Sequence, residues 1–244
     1  MKRIVIFGAT SLIAQETARC YAAESAALIL VARSQEKLES IKGDLIARGA
    51  SQVITISQDL SDTETHPQLV SRTFEAGALD LAILAHGIYG DQDSPKHSFE
   101  KARELLQVNF SSYVSLLTLL ADKFEGQKFG SIVVISSVAG DRGRQSNYVY
   151  GAAKAGLSAF ASGLRNRLFA SGVNVITVKP GFVDTPMTAH MKKGPLFASA
   201  RSVGAGIYRA VKSGRSVVYL PWFWLIIMTI IKLIPEPIFK RLRL

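Results

Sequence analysis

Short apolar segments alternate with longer amphipathic segments along the chain. The apolar segments are continuous rather than alternating, which predicts β-strands covered on both faces. They lie at Arg3–Phe7, Ala27–Ala32, Gln52–Ser57, Leu79–Ala85, Ser131–Ile135, Asn174–Val178 and Ser216–Leu220. The segments between them predict helices at Leu12–Glu24 and Gln35–Arg48, a long helix through Asn109 toward Phe124, and a helix from Tyr150 to about Ala170. This order predicts an α/β fold with a single doubly wound parallel sheet and helices on both faces.

The chain is predicted to form one domain followed by a hydrophobic tail. Nothing in residues 1–220 resembles a linker, so residues 1–220 are predicted to form one catalytic domain and residues 221–244 a hydrophobic and basic tail. The uncharged stretch Trp222–Ile231 is too short for the roughly 20 residues that span a bilayer. Lys240, Arg241 and Arg243 follow it. The tail therefore predicts either insertion at a membrane surface or an interface in a homo-oligomer, and the two can coexist.

Positive charge is concentrated near the C-terminal end. The formal net charge is +10, but residues 1–185 carry 19 basic and 18 acidic side chains, whereas residues 186–244 carry ten basic and one acidic side chain. This asymmetry predicts contact with an anionic surface or substrate. No nucleic-acid-binding motif accompanies the charge, so nucleic acid is not an expected partner. No export signal is visible and the one cysteine, Cys20, cannot form an internal disulfide, so a cytoplasmic location is expected.

Tyr150 and Lys154 are the leading candidates for chemistry. Their four-residue spacing places both side chains on one face of a helix. The Lys154 ammonium would then lower the pKa of the Tyr150 phenol and make it a proton donor near neutral pH. Ser137 follows a predicted strand and could hydrogen-bond the same substrate oxygen. Such pairs also arise by chance, and a serine after a strand is often only a turn or a helix cap, so the prediction depends on the nucleotide-binding pattern.

A glycine turn follows the first strand and leads into a helix. The backbone amides and the helix dipole of such a turn can hold a pyrophosphate, which makes Gly8, Thr10, Ser11, Leu12 and Ile13 predicted dinucleotide contacts.

Arg33 follows the second strand, at the position where an acidic residue would select NAD. A guanidinium suits a 2′-phosphate instead, so NADP(H) is the predicted cofactor. The alternative is a solvated cation at the start of a helix.

Together these motifs resemble the short-chain dehydrogenase/reductase family over about residues 3 to 220. The matching residues are Gly8, Asp59-Leu60, Gly87, Asn109, Ser137, Tyr150-x-x-x-Lys154 and Pro180-Gly181-x-Val183-x-Thr185. The resemblance implies a Rossmann-type domain that transfers hydride between NADP(H) and a ketone or secondary alcohol. It also implies a catalytic set of Ser137, Tyr150, Lys154 and Asn109, in which Asn109 holds a helix kink and a water of the proton relay. No metal site is predicted.

The resemblance further implies how the dinucleotide is held. Asp59 would contact the adenine amino group, Leu60 the adenine ring, and Gly87 would leave room for the adenine ribose. The other implied cofactor contacts are Ala85, Tyr150, Lys154, Pro180, Gly181, Val183 and Thr185, with Lys154 on the nicotinamide ribose and Val183 and Thr185 on the carboxamide and phosphate side.

Two segments depart from the family pattern. Leu12 and Ala14 stand where the family usually has glycines, so the Leu12 side chain must point away from the phosphates. The segment Leu84-Ala85-His86-Gly87 replaces the family's Asn-Asn-Ala-Gly, and His86 is interpreted as a structural histidine.

The first turn and the tail are also similar to those of bacterial reductases of polyprenyl-phosphate-linked keto-sugars. This similarity implies a lipid-linked or hydrophobic ketone substrate and a peripheral location on the cytoplasmic face of the membrane. Residues 186–199 fall where the family has a mobile lid, and Lys192 and Lys193 either meet a phosphate there or are solvated. One alternative is a soluble ketone or 3-oxoacyl reductase whose tail is an oligomer interface. Another is a non-catalytic NADP-binding scaffold, which the Tyr150–Lys154 pair disfavours.

Overall fold

A computed structural model describes residues 1–242, so Arg243 of the predicted basic tail lies outside the described residues. The strands are β1 (Arg3–Phe7), β2 (Ala27–Ala32), β3 (Gln52–Ser57), β4 (Leu81–Leu84), β5 (Ser131–Ile135), β6 (Asn174–Pro180), β7 (Val183–Asp184), β8 (Ala198–Ser199) and β9 (Val217–Leu220). The helices are α1 (Leu12–Ala22), α2 (Gln35–Ala47), α3 (His66–Phe74), α4 (Ser94–His97), α5 (Phe99–Leu106), α6 (Ser112–Gln127), α7 (Tyr148–Phe169), α8 (Ala200–Lys212), α9 (Phe223–Leu233) and α10 (Glu236–Phe239).

Seven of these strands form one sheet in the order β3-β2-β1-β4-β5-β6-β9. Every neighbouring pair in this sheet is parallel. The order of connection reverses between β1 and β4, where a crevice opens at the carboxyl ends of the strands. The predicted doubly wound parallel sheet is therefore confirmed. The short strands β7 and β8 pair with each other outside it.

Apolar side chains cover the sheet on both faces. Alternate residues of β1 enter opposite core clusters: Ile4 and Ile6 pack with residues of α1, α2 and α8, whereas Val5 and Phe7 pack with residues of α3, α6 and α7. All four side chains are at most 1% exposed. The continuous apolar pattern of the strand follows from this two-sided burial.

The helix predicted to run through Asn109 is interrupted. Helix α5 ends at Leu106, a π-helical segment covers Gln107–Ser111, and α6 begins at Ser112. The Asn109 Nδ2 group donates a hydrogen bond to the Leu105 carbonyl at 3.0 Å, and such a side-chain insertion perturbs the backbone ladder of a helix. Several elements also differ from the prediction at their ends: α1 stops two residues before the predicted end, β4 is shorter than predicted, and β6 continues past Val178 to Pro180.

The tail packs onto the domain through one side of α9. Trp224 and Met228 are buried in a cluster with Val138, and Phe182 and Tyr219 pack against this cluster. Across residues 1–242, no helix has both the length and the apolar composition needed to cross a bilayer.

Candidate active site

One cavity of about 380 Å³ lies in the crevice at the carboxyl ends of the central strands. Every residue that the sequence predicted for catalysis or cofactor binding lines it. They are Gly8, Thr10, Ser11, Leu12, Ile13, Arg33, Asp59, Leu60, Ala85, Gly87, Asn109, Ser137, Tyr150, Lys154, Pro180, Gly181, Val183 and Thr185. The sheet brings these residues together because parallel strands end at the same edge.

The turn between β1 and α1 requires glycine at its first position. Gly8 has φ +83°, and a Cβ there would lie 2.4 Å from the His86 backbone nitrogen. The amides of Gly8 and Ala9 both donate to the Val31 carbonyl, which holds the turn against β2. Leu12 is partly buried and packs against the core cluster that contains Ile4 and Ile6. The N-terminus of α1 thereby lines the cavity, with a shape and a dipole that suit the pyrophosphate of a dinucleotide.

Arg33 and Asp59 lie at the same end of the cavity. Arg33 is exposed and follows β2 directly. The Asp59 carboxylate accepts hydrogen bonds from the Ser61 amide at 2.9 Å and from the Ser61 hydroxyl at 2.8 Å. These bonds, the amide bond first, hold the pKa of Asp59 below its usual value, and the nearby charge of Arg33 acts in the same direction. Asp59 is therefore an ordered acceptor beside a guanidinium.

Asn109 fixes the segment that follows β4. Its Oδ1 accepts from the Ile88 amide at 3.2 Å and its Nδ2 donates to the Ile88 carbonyl at 2.9 Å. A Cβ on Gly87 would lie 2.6 Å from the Asn109 Oδ1, so this close approach requires glycine. The fully buried Asn109 thus holds residues 87 and 88 at the cavity wall through the π-helical segment.

His86 has structural contacts in the fold. Its Nε2 lies 2.8 Å from the Ser112 hydroxyl and its ring stacks on Tyr113 with centroids 4.0 Å apart. Burial holds the pKa of His86 well below its usual value, so the imidazole is neutral. These contacts agree with the interpretation of His86 as a structural histidine.

Tyr150 and Lys154 lie in the first two turns of α7 and are both buried. The Lys154 Nζ donates to the Ile135 carbonyl at 3.1 Å and lies 5.8 Å from the centre of the Tyr150 ring. The loop after β5 can approach α7 closely because glycines stand at two points of contact, Gly140 in the loop and Gly151 in the helix. A Cβ on Gly151 would lie 2.9 Å from the Ala139 carbonyl oxygen, and one on Gly140 would lie 2.6 Å from the Lys154 carbonyl carbon.

Ser137 caps the turn that follows β5 and also lines the cavity. Its hydroxyl accepts a hydrogen bond from the Ala139 amide at 3.1 Å, as a capping serine does. The same side chain lines the cavity with Tyr150 and interacts with the Tyr150 phenol. The capping bond uses the oxygen as an acceptor, which leaves the hydroxyl proton available as a donor.

The predicted effect of Lys154 on Tyr150 is wrong for this structure. Burial raises the pKa of Tyr150, with the contact to Ser137 opposing the rise, and burial lowers the pKa of Lys154 to about 7. Removal from water disfavours the charged form of each group, the phenolate of Tyr150 and the ammonium of Lys154. Tyr150 is therefore protonated at neutral pH and has a proton to donate.

Several residues of the cavity were not predicted from the sequence. The Tyr89 ring lies 5.0 Å from the Tyr150 ring and stacks on His190 at 6.0 Å. The cavity is also lined by Phe182, Arg144, Asn147, Met187, Thr188 and Met191. These residues lie in loops, which show no periodic pattern in the sequence. The position of residues 138–149 between Ser137 and Tyr150 was the one signal that this segment lies near the site.

Of the two lysines in residues 186–199, neither lines this cavity. Lys193 pairs with Asp184 at 2.6 Å, and Lys192 is exposed. Lys192 thus fits the solvated alternative for this segment, and Lys193 is engaged by a carboxylate.

The tail packs against segments that line the cavity. A Cβ on Gly181 would lie 1.9 Å from the Trp224 Nε1, so α9 packs directly on the segment after β6. Arg142 donates to the Ile231 and Ile234 carbonyls, each at 2.6 Å, and pairs with Glu236 at 2.9 Å. The loop after β5 therefore contacts both the cavity and the tail.

Comparison with known proteins gives consistent matches over most of the chain. The model of a family described as short chain dehydrogenase matches residues 2–195. An uncharacterised oxidoreductase of Mycobacterium tuberculosis is 40% identical over 240 residues, covering 98% of this chain and 96% of that protein. An uncharacterised oxidoreductase of Streptomyces coelicolor is 36% identical over 242 residues, covering 99% and 96%. The crystal structure of levodione reductase superposes with a TM-score of 0.81 at 23% identity, covering 89% of this chain and 95% of that one, which shows a shared fold.

Proposed function

Because the chain belongs to the short chain dehydrogenase family of oxidoreductases, we propose that it reduces a ketone to a secondary alcohol with NADP(H). The observation that carries this proposal is the shared cavity: Ser137, Tyr150 and Lys154 line the same space as the glycine turn at Gly8. The same groups would serve the reverse oxidation.

The chemistry divides between the cofactor and the side chains. A bound nicotinamide supplies the hydride. Tyr150 donates its proton to the carbonyl oxygen as that oxygen gains negative charge, and Ser137 orients the oxygen with a hydrogen bond. Lys154, held by the Ile135 carbonyl, places a cationic group beside the tyrosine. Asp59, Gly87 and the N-terminus of α1 would hold the dinucleotide.

Arg33 supports NADP(H) as the cofactor. It follows β2 at the edge of the cavity, and its exposed guanidinium is free to form a fork of hydrogen bonds with a phosphate. The ordered carboxylate near it, Asp59, accepts both hydrogen bonds from Ser61 on its Oδ1, which leaves Oδ2 to accept from the adenine amino group.

The exchange Arg33→Asp is expected to invert the cofactor preference. The aspartate would repel a 2′-phosphate and accept a hydrogen bond from a 2′-hydroxyl, so the ratio of the NADH to NADPH dissociation constants should fall by at least about tenfold, or ~1.4 kcal/mol. Fluorescence titration with both cofactors measures this ratio. Arg215→Asp changes the charge equally at an exposed position before β9, outside the cavity, and is the matched control. An unchanged ratio in the Arg33 variant would remove Arg33 from this role.

The outer side of α9 supports a membrane surface as a partner. We define the outer face as Trp222, Leu225, Ile226, Ile230 and Leu233, each more than half exposed. Lys232 lies in the last turn of α9, Lys240 and Arg241 follow the helix in the chain, and all three are exposed. Apolar side chains bordered by cations suit the interface of a bilayer with anionic lipids, as on the cytoplasmic leaflet. We therefore propose peripheral docking through this face.

Docking through α9 would bring the cavity close to lipid. The inner side of the helix, Trp224 and Met228, packs against Val138 and Phe182, which also line the cavity. A ketone carried on a lipid, or another hydrophobic ketone, could then stay in the bilayer while its carbonyl reaches Tyr150. A lipid-linked or hydrophobic substrate is the class that this arrangement favours.

Replacing three residues of the outer face is expected to release the protein from membranes. Leu225→Gln, Ile226→Gln and Ile230→Gln together remove three aliphatic side chains, each contributing about 1.5–3 kcal/mol when fully buried, so the fraction bound to vesicles should fall at least tenfold. Co-sedimentation with vesicles of phosphatidylcholine and phosphatidylglycerol measures it. Point exchanges are preferable to deletion of residues 221–244, because deletion would expose Val138 and the cavity wall.

The control for the vesicle experiment carries Ile46→Gln and Phe169→Gln, two exposed apolar residues on other surfaces. It should bind vesicles like the unmodified protein. If the unmodified chain stays in the supernatant, the membrane proposal fails. If, in addition, the unmodified protein is an oligomer in solution and the three-residue variant is a monomer, the tail is a subunit interface. The alternative of a soluble ketone or 3-oxoacyl reductase then replaces the membrane proposal.

A further inference from the structure

The cavity lining includes a guanidinium, that of Arg144, which forms no salt bridge with the residues that the structure describes. Arg144 lines the cavity, and its Nε is buried without a hydrogen-bond partner among residues 1–242. Asp59 is the one acidic residue that the described part of the chain contributes to this lining, and it lies at the opposite end, beside Arg33. A partly buried guanidinium whose Nε has no partner gains a hydrogen bond and a counter-charge from an anion, so this site suits an anionic group.

The fold places Arg144 on the reactive side of the cavity. The residue lies in the loop between the turn Val138–Gly140 and α7, and its carbonyl accepts a hydrogen bond from the Asn147 amide at 3.1 Å. Its charge interacts with Tyr89, whose ring is 5.0 Å from the Tyr150 ring, and more weakly with Asp141. Burial lowers the pKa of Arg144 from its usual value, which reflects the loss of solvent around the charge.

The acidic residue of this loop, Asp141, is already paired with a lysine. Asp141 receives the Lys179 ammonium at 2.5 Å and the Tyr219 hydroxyl at 2.8 Å, and its side chain is almost fully buried. Arg142, two residues before Arg144, binds the tail instead of the cavity. Arg144 is thus the arginine of this loop that faces the space where a substrate would lie.

The cavity lining also offers apolar and neutral groups to a substrate. Met187 and Met191 line the cavity, and the buried Oδ1 of Asn147 has no hydrogen-bond partner within the described residues. A substrate there would pair an anionic group with Arg144, offer a hydroxyl proton to Asn147, and place apolar surface on the methionines.

We propose that Arg144 binds an oxyanion of the ketone substrate, a phosphate or a carboxylate. This inference rests on the proposed function, because it names the substrate class of the same site. The planar guanidinium can bind such a group through two parallel hydrogen bonds, and exclusion of water strengthens the pairing. The anion fixes the substrate so that its carbonyl faces Tyr150.

Calorimetric titration of the NADP⁺ complex with dihydroxyacetone phosphate tests this site directly. Saturating NADP⁺ fills the phosphate contacts of the dinucleotide, so the probe reports on the remaining site. The unmodified complex should bind the probe, Arg144→Gln should weaken binding at least about tenfold, or ~1.4 kcal/mol, and Arg144→Lys should lie between them. Arg215→Gln, with the same loss of charge outside the cavity, should bind normally. Uncharged dihydroxyacetone should bind all four proteins equally weakly.

Equal binding of the phosphate by the unmodified and Arg144→Gln complexes, or no binding by the unmodified complex, would overturn the assignment of Arg144. Failure of NADP⁺ itself to bind would instead overturn the proposed function. Melting curves of each complex show whether a variant is folded. Because Arg144 is partly exposed, Arg144→Gln should melt close to the unmodified protein.

A kinetic comparison distinguishes a lipid phosphate from a free one. NADPH oxidation is followed with 1-palmitoyl-dihydroxyacetone phosphate in vesicles, with its dephosphorylated form in vesicles, and with soluble dihydroxyacetone phosphate. A rise in KM caused by Arg144→Gln for a phosphorylated ketone supports the inference. The ketone that shows it, vesicle-bound or soluble, identifies the source of the phosphate. An equal loss of kcat with the neutral lipid would contradict anion binding and make Arg144 a structural residue.

Discussion

Replacing Tyr150 with phenylalanine is expected to lower the rate of ketone reduction by about 10³-fold. Proton transfer by a positioned acid contributes roughly 10²–10⁴-fold to catalysis, and Tyr150 is the protonated phenol that lines the cavity beside Ser137. The exchange removes one oxygen atom and keeps the ring that packs against Tyr89. The loss should therefore appear in kcat, with the dissociation constant of NADPH changed by less than about threefold.

The loss of NADPH absorbance with a ketone substrate measures the effect of Tyr150→Phe. Tyr148→Phe is a matched control, because Tyr148 lies in the same turn of α7 and its side chain is exposed. That variant should retain full turnover. Wild-type turnover by Tyr150→Phe would show that the proton comes from elsewhere and that the catalytic assignment is incorrect.

Replacing Lys154 with methionine is expected to change activity and stability in opposite directions. Lys154 is buried, and burial lowers its pKa from 10.5 to about 7. Since the folded pKa lies below the unfolded one, the unfolded chain binds the proton more tightly. The charged Lys154 therefore destabilises the folded protein. This destabilisation is complete below about pH 7 and disappears as the pH rises through 10.5. Each pKa unit corresponds to about 1.4 kcal/mol, so several kcal/mol oppose folding at low pH.

Methionine has a similar length and no charge, so Lys154→Met should raise the melting temperature by about 5 °C at pH 6 and by much less at pH 10. The loss of the hydrogen bond to the Ile135 carbonyl offsets part of the gain. The same exchange should reduce ketone reduction at least about 10²-fold, because the cationic group beside Tyr150 is lost.

Thermal unfolding at the two pH values, together with turnover, measures both effects of Lys154→Met. Lys123→Met on the exposed side of α6 is the control and should show neither effect. A variant that melts lower at pH 6 than the unmodified protein would show that the Lys154 ammonium stabilises the fold. The cost of burying its charge would then be smaller than the structure indicates.

The strands and the site could largely be predicted from the sequence, because both depend on patterns along the chain. A strand buried on both faces is continuously apolar, as in β1, β2 and β5, and parallel strands bring residues such as Gly8, Gly87 and Ser137 to one edge. The interruption at Asn109 could not be predicted from periodicity, because it depends on hydrogen bonds from the side chain to Leu105 and Ile88.

The remaining features depend on tertiary packing. The opposite shifts of the Tyr150 and Lys154 pKa values follow from burial, which the four-residue spacing does not specify. Arg144 lies in a loop without periodicity, and its missing partner becomes visible only when the neighbours are in place. The apolar tail showed no preferred face in sequence, whereas in the fold Trp224 is buried and Trp222 is exposed.

Transfer of deuterium from NADPH labelled at the reactive position of the nicotinamide tests the central claim most directly. The unmodified protein is incubated with the labelled cofactor and with vesicles that contain 1-palmitoyl-dihydroxyacetone, with and without its phosphate, and the lipids are analysed by mass spectrometry. The account predicts a secondary alcohol that carries the deuterium on the former carbonyl carbon. Ketones recovered unchanged, or an alcohol without the label, would contradict it.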